Sequence, residues 1–581
     1  MAKKKRFILV DGSALAYRSY FAFIRNPLIS TKGEDTSAVF GFTNAVMRLL
    51  KQERPDYMAV IFDAPGPTFR HEQFAEYKAT RQKMPPEMRD QIPRIKEVIE
   101  ALRLPILEVE GYEADDVMGT LARKAKEQEV ETILVTGDKD FLQLVDDDIK
   151  VLHPHKGGKE VEVIDAKGVK ERYGVGPDKV VDILGLMGDA SDNVPGVPGI
   201  GEKTAVELIR KYGSLEQVLE HAEEIPRKNI RRNLLENPDQ AHLSKQLVTI
   251  DTAVPLKVDL GKLGLKGWDL ERLSALFKDL EFTKLLEEIT PQAPVPEAQY
   301  HIVDEADRLD NLVAALREKG SFTIDLETTS QNPMEASIVG IALAHRPHEA
   351  FYIPVGHSVG KNMDRSYVLR RLKPLLEDPS IRICGQNIKY DMIVLARAGI
   401  TVRGIDFDTM VASYLLNPSA RQHNLDTLSL QHLDHKMIPI SELIGSGKKQ
   451  ISMADVPIRK ATRYSCEDGD ITLQLRQLFE PKLKSLELDE LFHTVEMPLV
   501  SVLAEMEMNG VSVDVDLLGS MSQGLEDELK GLAEEIYSLA GERFNINSPK
   551  QLAVILFEKL NLPTIRRTKT GLSTDVSVLE E

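Results

Sequence analysis

At 581 residues, with 42% hydrophobic and 28% charged side chains, the chain is too long for one hydrophobic core and has the make-up of several globular domains. Its net charge of −18 argues against a generic polyanion binder, so any nucleic-acid contact must rest on local basic patches. With only two cysteines, Cys384 and Cys466, a disulfide framework and a cysteine-rich zinc site are excluded.

The start, MAKKKRFILVDGS, is basic but has no secretory apolar segment, and no apolar run of about 18 residues follows. A cytoplasmic protein is expected. The first third alternates apolar runs with amphipathic segments: RFILVDG (6–12), YMAVIFDA (57–64), PILEVEG (105–111) and TILVTGD (132–138). Continuous apolar runs are the mark of buried parallel strands, so a βαβ pattern is expected. Asp11, Asp63 and Asp138 stand at or just beyond strand ends, where open parallel sheets bind ligands.

GYEADDVMGTLA (111–122) crowds Glu113, Asp115 and Asp116 ahead of a helical run. Two unit charges about 4 Å apart repel by roughly 4 kcal/mol at an effective dielectric near 20. Either these acids form an acidic first turn on the helix dipole, or a positive group holds them together. Asp140 lies two residues beyond Asp138 and faces the same way if the chain there is extended, while Glu113 and Asp116 share a helix face. GDASDN (188–193) adds Asp189 and Asp192. Carboxylates without histidine or cysteine suit Mg²⁺ or Mn²⁺. Two such ions about 3.5–4 Å apart stabilise the attacking and leaving oxygens of phosphodiester displacement, the reaction class expected here.

VDGSALAYR, IFDA, YKATR, GYEADD, TGDKDFLQL and GDASDNVPGVPGIGEKTA, in that order over the first half of the chain, resemble the 5′ nuclease family. The resemblance implies a PIN-like α/β domain whose nine acids Asp11, Asp63, Glu113, Asp115, Asp116, Asp138, Asp140, Asp189 and Asp192 ligate two metals to cut 5′ flaps and ends. It places Lys78 and Arg81 beside the scissile phosphate and Tyr17 and Arg18 on unpaired nucleotides. GVPGIGEKTA (196–205) then reads as the hairpin of a helix-hairpin-helix, with Gly196, Gly199, Gly201 and Lys203 as DNA contacts and, by the resemblance, a monovalent cation.

TPQAPVPEAQ (290–299) has linker composition. Beyond it, SFTIDLETTS sets Asp325 and Glu327 on one face of a strand, GQNIKYDMIVL supplies Asp391, and RYSCEDGDIT supplies Tyr464 and Asp468 at i, i+4. These pieces resemble the tyrosine-containing DEDD 3′–5′ exonucleases, of ribonuclease H-like fold. The resemblance assigns two metals to Asp325, Glu327, Asp391 and Asp468, the attacking water to Tyr464, and the 3′-terminal nucleotide to Asn387 and Tyr390. Three late stretches, VEMPLVSVLAEMEMNGVSVD, FNINSPKQLAVILFEKLNLP and TKTGLSTD, resemble the thumb of family A DNA polymerases. No palm or fingers motif precedes residue 581, so an early truncation and no DNA synthesis are expected.

The expected architecture is therefore α/β and multidomain: 5′ nuclease core 1–172, helix-hairpin-helix region 173–289, linker 290–299, 3′–5′ exonuclease 300–485 and partial helical thumb 486–581. A monomeric DNA repair and replication enzyme is expected, acting on flaps, nicks and 3′ ends. A DNA-binding scaffold with silent sites is disfavoured because both acid sets are complete. A phosphotransferase using Asp11 as nucleophile is disfavoured because no second aspartate stands two residues on.

Overall fold

The computed structural model describes residues 4–81, 83–153, 162–291, 298–568 and 571–580. The centre of the expected linker, 292–297, lies outside the described residues. Two compact units emerge, Met1–Ser501 and Val502–Glu581.

The apolar runs of the first third become one sheet: β1 Arg6–Asp11, β2 Tyr57–Ile61, β3 Ile106–Leu107, β4 Glu131–Val135, β5 Ile149–His153 and β6 Glu162–Ile164. Its order is β3-β2-β1-β4-β5-β6. All pairs are parallel except β5 with β6. Phe7 to Val10, Met58 to Ile61 and Ile133 to Val135 are buried because both sheet faces are covered. The seven-residue run at 105–111 pairs only over Ile106–Leu107, since the chain turns at Gly111 (φ +81°) to enter the next helix. Strand order reverses between β1 and β4, and that switch point opens the crevice into which the strand ends deliver their aspartates.

Four helices of this half matter to the site. α1 Gly12–Ala22 starts on the side chain of Asp11, and α2 Ala114–Glu127 starts at Glu113. α3 Val180–Met187 and α4 Glu202–Tyr212 flank the Gly/Pro-rich stretch.

A second sheet in the same unit has the order β12-β11-β8-β9-β10-β7. Its strands are β7 Gln299–Ile302, β8 Ser321–Thr328, β9 Ile338–Arg346, β10 Glu349–Pro354, β11 Arg382–Gly385 and β12 Ile405–Asp408. β8, β9 and β10 form an antiparallel meander, and β11 and β12 continue parallel to β8. α5 Ile388–Arg397 follows β11, α6 Ile440–Ile444 is a single short turn of helix, and α7 Ile458–Ser485 packs across β8, β9 and β10. Thr323 fastens α7 to the sheet by donating its hydroxyl to the Gly469 carbonyl (2.9 Å).

The second unit is dominated by α8 Val515–Ala540, opened by the Asp514 side chain on the Leu517 amide and closed by Gly541. Leu518, Met521, Leu525 and Leu532 recur at helical spacing and are exposed. Among the described residues no helix is long and apolar enough to cross a membrane.

Two candidate carboxylate centres

The first centre is a cleft of about 350 Å³ lined by Asp11, Asp63, Glu113, Asp115 and Asp138 together with Tyr17, Lys78 and Arg81. Asp11 and Asp63 are fixed by hydrogen bonds. Asp11 accepts from the Ala14 amide (2.8 Å) and the Thr136 hydroxyl (3.1 Å). Asp63 accepts from the Ala114 amide (3.0 Å), which ties the end of β2 to the start of α2. Burial, then the charges of Asp63 and Asp138, push the Asp11 carboxyl up to about 7 against its two hydrogen bonds. Asp115 is raised well above the ordinary carboxylate range by burial and by Asp138, Asp11 and Glu113. An acid set strained in this way favours whatever positive charge enters it.

Lys78 stands at the mouth in a left-handed conformation (φ 57°). Its ammonium donates to Glu113 Oε1 (2.6 Å) and lies 3.6 Å from Asp192 Oδ2. Burial alone would depress its pKa, but Glu113 and Asp192 outweigh that and hold it above its usual value. Arg81 forks onto Asp192 Oδ1 at 2.6 and 3.0 Å. Asp189 pairs with Lys139 (2.9 Å) and accepts from the Ser191 amide (2.8 Å). Asp140 is raised well above its usual range by burial and by Asp138 and Asp189, and its buried Oδ1 has no hydrogen-bond partner.

The geometry corrects two expectations for the acids. Asp138 and Asp140 are not in extended chain: Asp140 opens the 3₁₀ turn Asp140–Leu144 and its amide donates to Asp138 Oδ1 (2.9 Å). Asp116 does not reach the cleft. Its carboxylate is fully buried and receives the Arg70 fork at 2.7 and 2.8 Å, the Glu113 amide at 3.1 Å and the Asp251 amide at 2.8 Å. With both oxygens taken, it fixes the helix start from which Glu113 and Asp115 project.

The hairpin also divides its glycines. Gly196 (φ +61°) packs against Gly188, where a Cβ would collide with the Gly188 nitrogen and the Met187 carbonyl. Its amide donates to Ser244 Oγ (2.9 Å) and its carbonyl accepts from Gln240 (2.7 Å), so Gly196 closes the loop carrying Asp189 and Asp192 and offers no free N–H to DNA. Gly199, Gly201 and Lys203 are exposed, as is Arg18.

In the second centre, oxygens of Asp325, Glu327 and Asp468 lie within 4.8 Å of one another. Asp391, on the first turn of α5, is buried against Asp325. Burial pushes Asp325 up to about 6. Burial and Asp325 push Glu327 up to about 8, opposed by a hydrogen bond from Ser465 (2.5 Å). Asp468 goes well above its usual range for the same reasons. Tyr464, one turn before Asp468 on α7, is raised by burial and by the Asp468 charge, so its hydroxyl keeps its proton. The Tyr390 hydroxyl is engaged with Thr328 and the Ser330 carbonyl, and Asn387 takes the left-handed conformation (φ 55°) that opens α5.

Residues 6–174 match the family model of the 5′-3′ exonuclease N-terminal resolvase-like domain, and 175–271 match the 5′-3′ exonuclease C-terminal SAM fold. Residues 300–484 match the 3′-5′ exonuclease model and 515–581 that of DNA polymerase family A. DNA polymerase I of Rhizobium leguminosarum is 35% identical over 100% of this chain and 67% of its own length. The chain belongs to the DNA polymerase I family. The Pseudomonas aeruginosa DNA polymerase I is 42% identical over 99% of this chain and 65% of its own length. For the Bacillus subtilis member the figures are 38%, 100% and 64%, so the chain spans a little under two thirds of these two relatives.

Four residues that shape the centres carry no role in the sequence reading. Arg70, in FRHEQ, anchors Asp116, and the Tyr77 hydroxyl donates to Glu113 Oε2 (3.0 Å). Asp408 accepts the amides of Asn387, Ile388 and Met410 at 3.1, 2.8 and 2.8 Å and so fixes the turn that aims Asp391. Ser465 holds Glu327. Only Asp408 has a usable signal, an aspartate at the cap position of the helix Thr409–Leu416.

Proposed function

We propose that this member of the DNA polymerase I family hydrolyses DNA phosphodiesters at two independent, metal-dependent centres, cutting 5′ flaps and ends at the first and trimming 3′ ends at the second. One observation carries the reading: two carboxylate-only clusters, each with acids pushed far above their usual range, stand on two different sheets. The donor chemistry fits magnesium or manganese. So do the unpartnered Asp140 Oδ1 in one cluster and the close triple of oxygens in the other.

In this reading Asp11, Asp63, Glu113, Asp115, Asp138, Asp140, Asp189 and Asp192 hold metal at the first centre, and Asp325, Glu327, Asp391 and Asp468 at the second. Bound in pairs, such ions supply charge stabilisation for the attacking and leaving oxygens. The chain's own residues do the rest. Lys78 and Arg81 transfer their donors from Glu113 and Asp192 to the scissile phosphate, while Tyr17 and Arg18 receive unpaired nucleotides. Gly199 and Gly201 bring backbone N–H groups, and Lys203 its charge, to duplex phosphates, with the hairpin as the site for a monovalent cation. At the second centre Tyr464, protonated, orients the attacking water, and Asn387 and Tyr390 position the 3′-terminal nucleotide. A cytoplasmic monomer is proposed. Residues 515–581 match the model of DNA polymerase family A.

The test is a labelled flap duplex and a labelled 3′ end with the same protein and Mg²⁺. Asp115→Asn is expected to abolish flap cleavage alone, and Asp325→Ala 3′ trimming alone. Loss of both activities from either substitution in a folded protein would overturn the two-centre reading.

A further inference from the structure

The helix that carries Tyr464 and Asp468 begins with a concentration of positive charge that no described acid answers. Arg459, Lys460 and Arg463 are exposed, Arg463 standing three residues after Lys460 and four after Arg459, and make no ion pair with any described residue. Like charges at these spacings destabilise a helix, and cations in its first turn oppose the dipole. No acidic residue of the first turn relieves them. Lys460, Tyr464 and Asp468 follow one another at i, i+4, i+8, so Lys460 lies about two turns, near 12 Å, from Asp468 along one side of α7.

A second basic element springs from the apolar cluster in which that tyrosine packs. Leu443 and Ile444 of α6 pack in the apolar cluster that includes Ile458, Ala461 and Tyr464. The loop leaving Ile444 returns at once, the Ile451 amide donating to the Ile444 carbonyl (2.9 Å). Gly445 (φ +77°) and Gly447 (φ +63°) make that tight return possible. Its tip carries Lys448 and Lys449, both exposed and without an ion pair among the described residues. The helix that carries Tyr464, and a loop rooted in the apolar cluster where Tyr464 packs, thus each present exposed lysines without an ion pair among the described residues.

We infer that Lys448 and Lys449 on the loop, with Lys460 on α7, form a phosphate track for a single DNA strand, holding the nucleotides behind the reacting 3′ end while that end lies in the carboxylate centre. The inference rests on the proposed 3′–5′ exonuclease reading. These are positioning residues, remote from the reacting atoms: they hold the strand against the field of Asp325, Glu327, Asp391 and Asp468.

The experiment uses the full chain with Mg²⁺ and two substrates, a single-stranded DNA oligonucleotide long enough to reach Lys460 and a DNA dinucleotide that cannot. Lys460→Glu, and separately the pair Lys448→Glu and Lys449→Glu, are expected to raise KM for the oligonucleotide about tenfold or more at unchanged kcat. The slope of log affinity against log salt should shrink by about 0.7 for each phosphate no longer held. Hydrolysis of the dinucleotide should not change, and Lys460→Arg should restore the oligonucleotide KM. Unaltered KM and salt slope in both variants would overturn the track, as would an equal loss on both substrates, which marks damage to the fold. If the unmodified chain trims neither substrate, the exonuclease reading itself falls and the track with it.

Discussion

Arg70 and Asp116 form a forked ion pair in the interior, with bonds of 2.7 and 2.8 Å and both side chains almost wholly buried. The guanidinium also donates to the carbonyls of Leu247 (2.8 Å) and Thr249 (2.7 Å), so one arginine joins the start of α2 to a segment far along the chain. Breaking a buried pair by removing one partner leaves an unanswered charge and destabilises by about 3–5 kcal/mol. Arg70→Ala is therefore expected to lower the melting temperature clearly. Asp115→Asn removes a repelling charge from the cleft and is expected to leave the metal-free melting temperature unchanged or raised while abolishing flap cleavage. Calorimetry beside a flap assay distinguishes the two, and equal stability losses would refute the division of roles between Asp115 and Asp116.

A pH dependence follows from the second centre. Asp325 and Glu327 are pushed up to about 6 and about 8, above the values of about 3.9 and 4.3 expected of unfolded chain. The folded state thus binds their protons more tightly, and the stability this contributes is full below about pH 4 and lost as pH rises through 6 and then 8. In chelator, the melting temperature of the unmodified chain should fall between about pH 5 and about pH 8 relative to Glu327→Gln. Added Mg²⁺ should close that gap, because a cation bound to the carboxylates replaces the proton. Parallel melting curves for the two proteins across this range would refute the buried, mutually repelling arrangement.

Asp408 predicts a remote effect on trimming. It accepts the Asn387, Ile388 and Met410 amides and is 1% exposed. Asp408→Ala leaves these donors unsatisfied and frees the turn before Asp391. The expected result is at least about a tenfold loss of kcat for 3′ trimming, since small misplacement of a catalytic group is penalised steeply. Flap cleavage should be retained. Asp391→Ala should remove trimming with less effect on stability than Asp408→Ala. A trimming rate unchanged by Asp408→Ala would show that the turn holds its shape without the carboxylate.

What is legible in the sequence is whatever local spacing encodes. Unbroken apolar runs announce β1, β2 and β4, because strands buried on both faces have no polar alternation to blur them. Asp325 and Glu327 are readable as a same-face pair because strand period is two. Asp116 reads wrongly as a metal ligand because its partner, Arg70, is 46 residues away and nothing in EADD says which carboxylate turns inward. Gly196 reads wrongly as a DNA contact for the same reason, its neighbour Gly188 and its bond to Ser244 being set by tertiary folding rather than by the motif. The short β3 shows a third limit, an apolar run ended by the turn its next element requires.

The two hairpin glycines supply the final prediction, because similar backbone angles serve different ends. Gly196 has φ +61° and no room: a Cβ would strike the Gly188 nitrogen and the backbone of Met187. Gly196→Ala must therefore push apart the segment that carries Asp189 and Asp192, whose closure rests on the Asp189 and Val194 amides donating to each other's carbonyls at 2.9 and 2.7 Å. Gly199 has φ +78° but open surroundings, where a Cβ would meet only the Asn233 side-chain nitrogen, at 3.4 Å. Its alanine variant strains one residue by about 1–2 kcal/mol and removes the close approach of the backbone to phosphate. Gly196→Ala is expected to lower both stability and the flap cleavage rate, with the rate loss persisting at saturating DNA. Gly199→Ala is expected to raise KM for flap duplex severalfold while kcat survives, and to leave 3′ trimming of single strands untouched. If Gly199→Ala instead reduced kcat at saturating substrate as Gly196→Ala does, the exposed hairpin would be part of the cleft's architecture rather than a contact for the duplex.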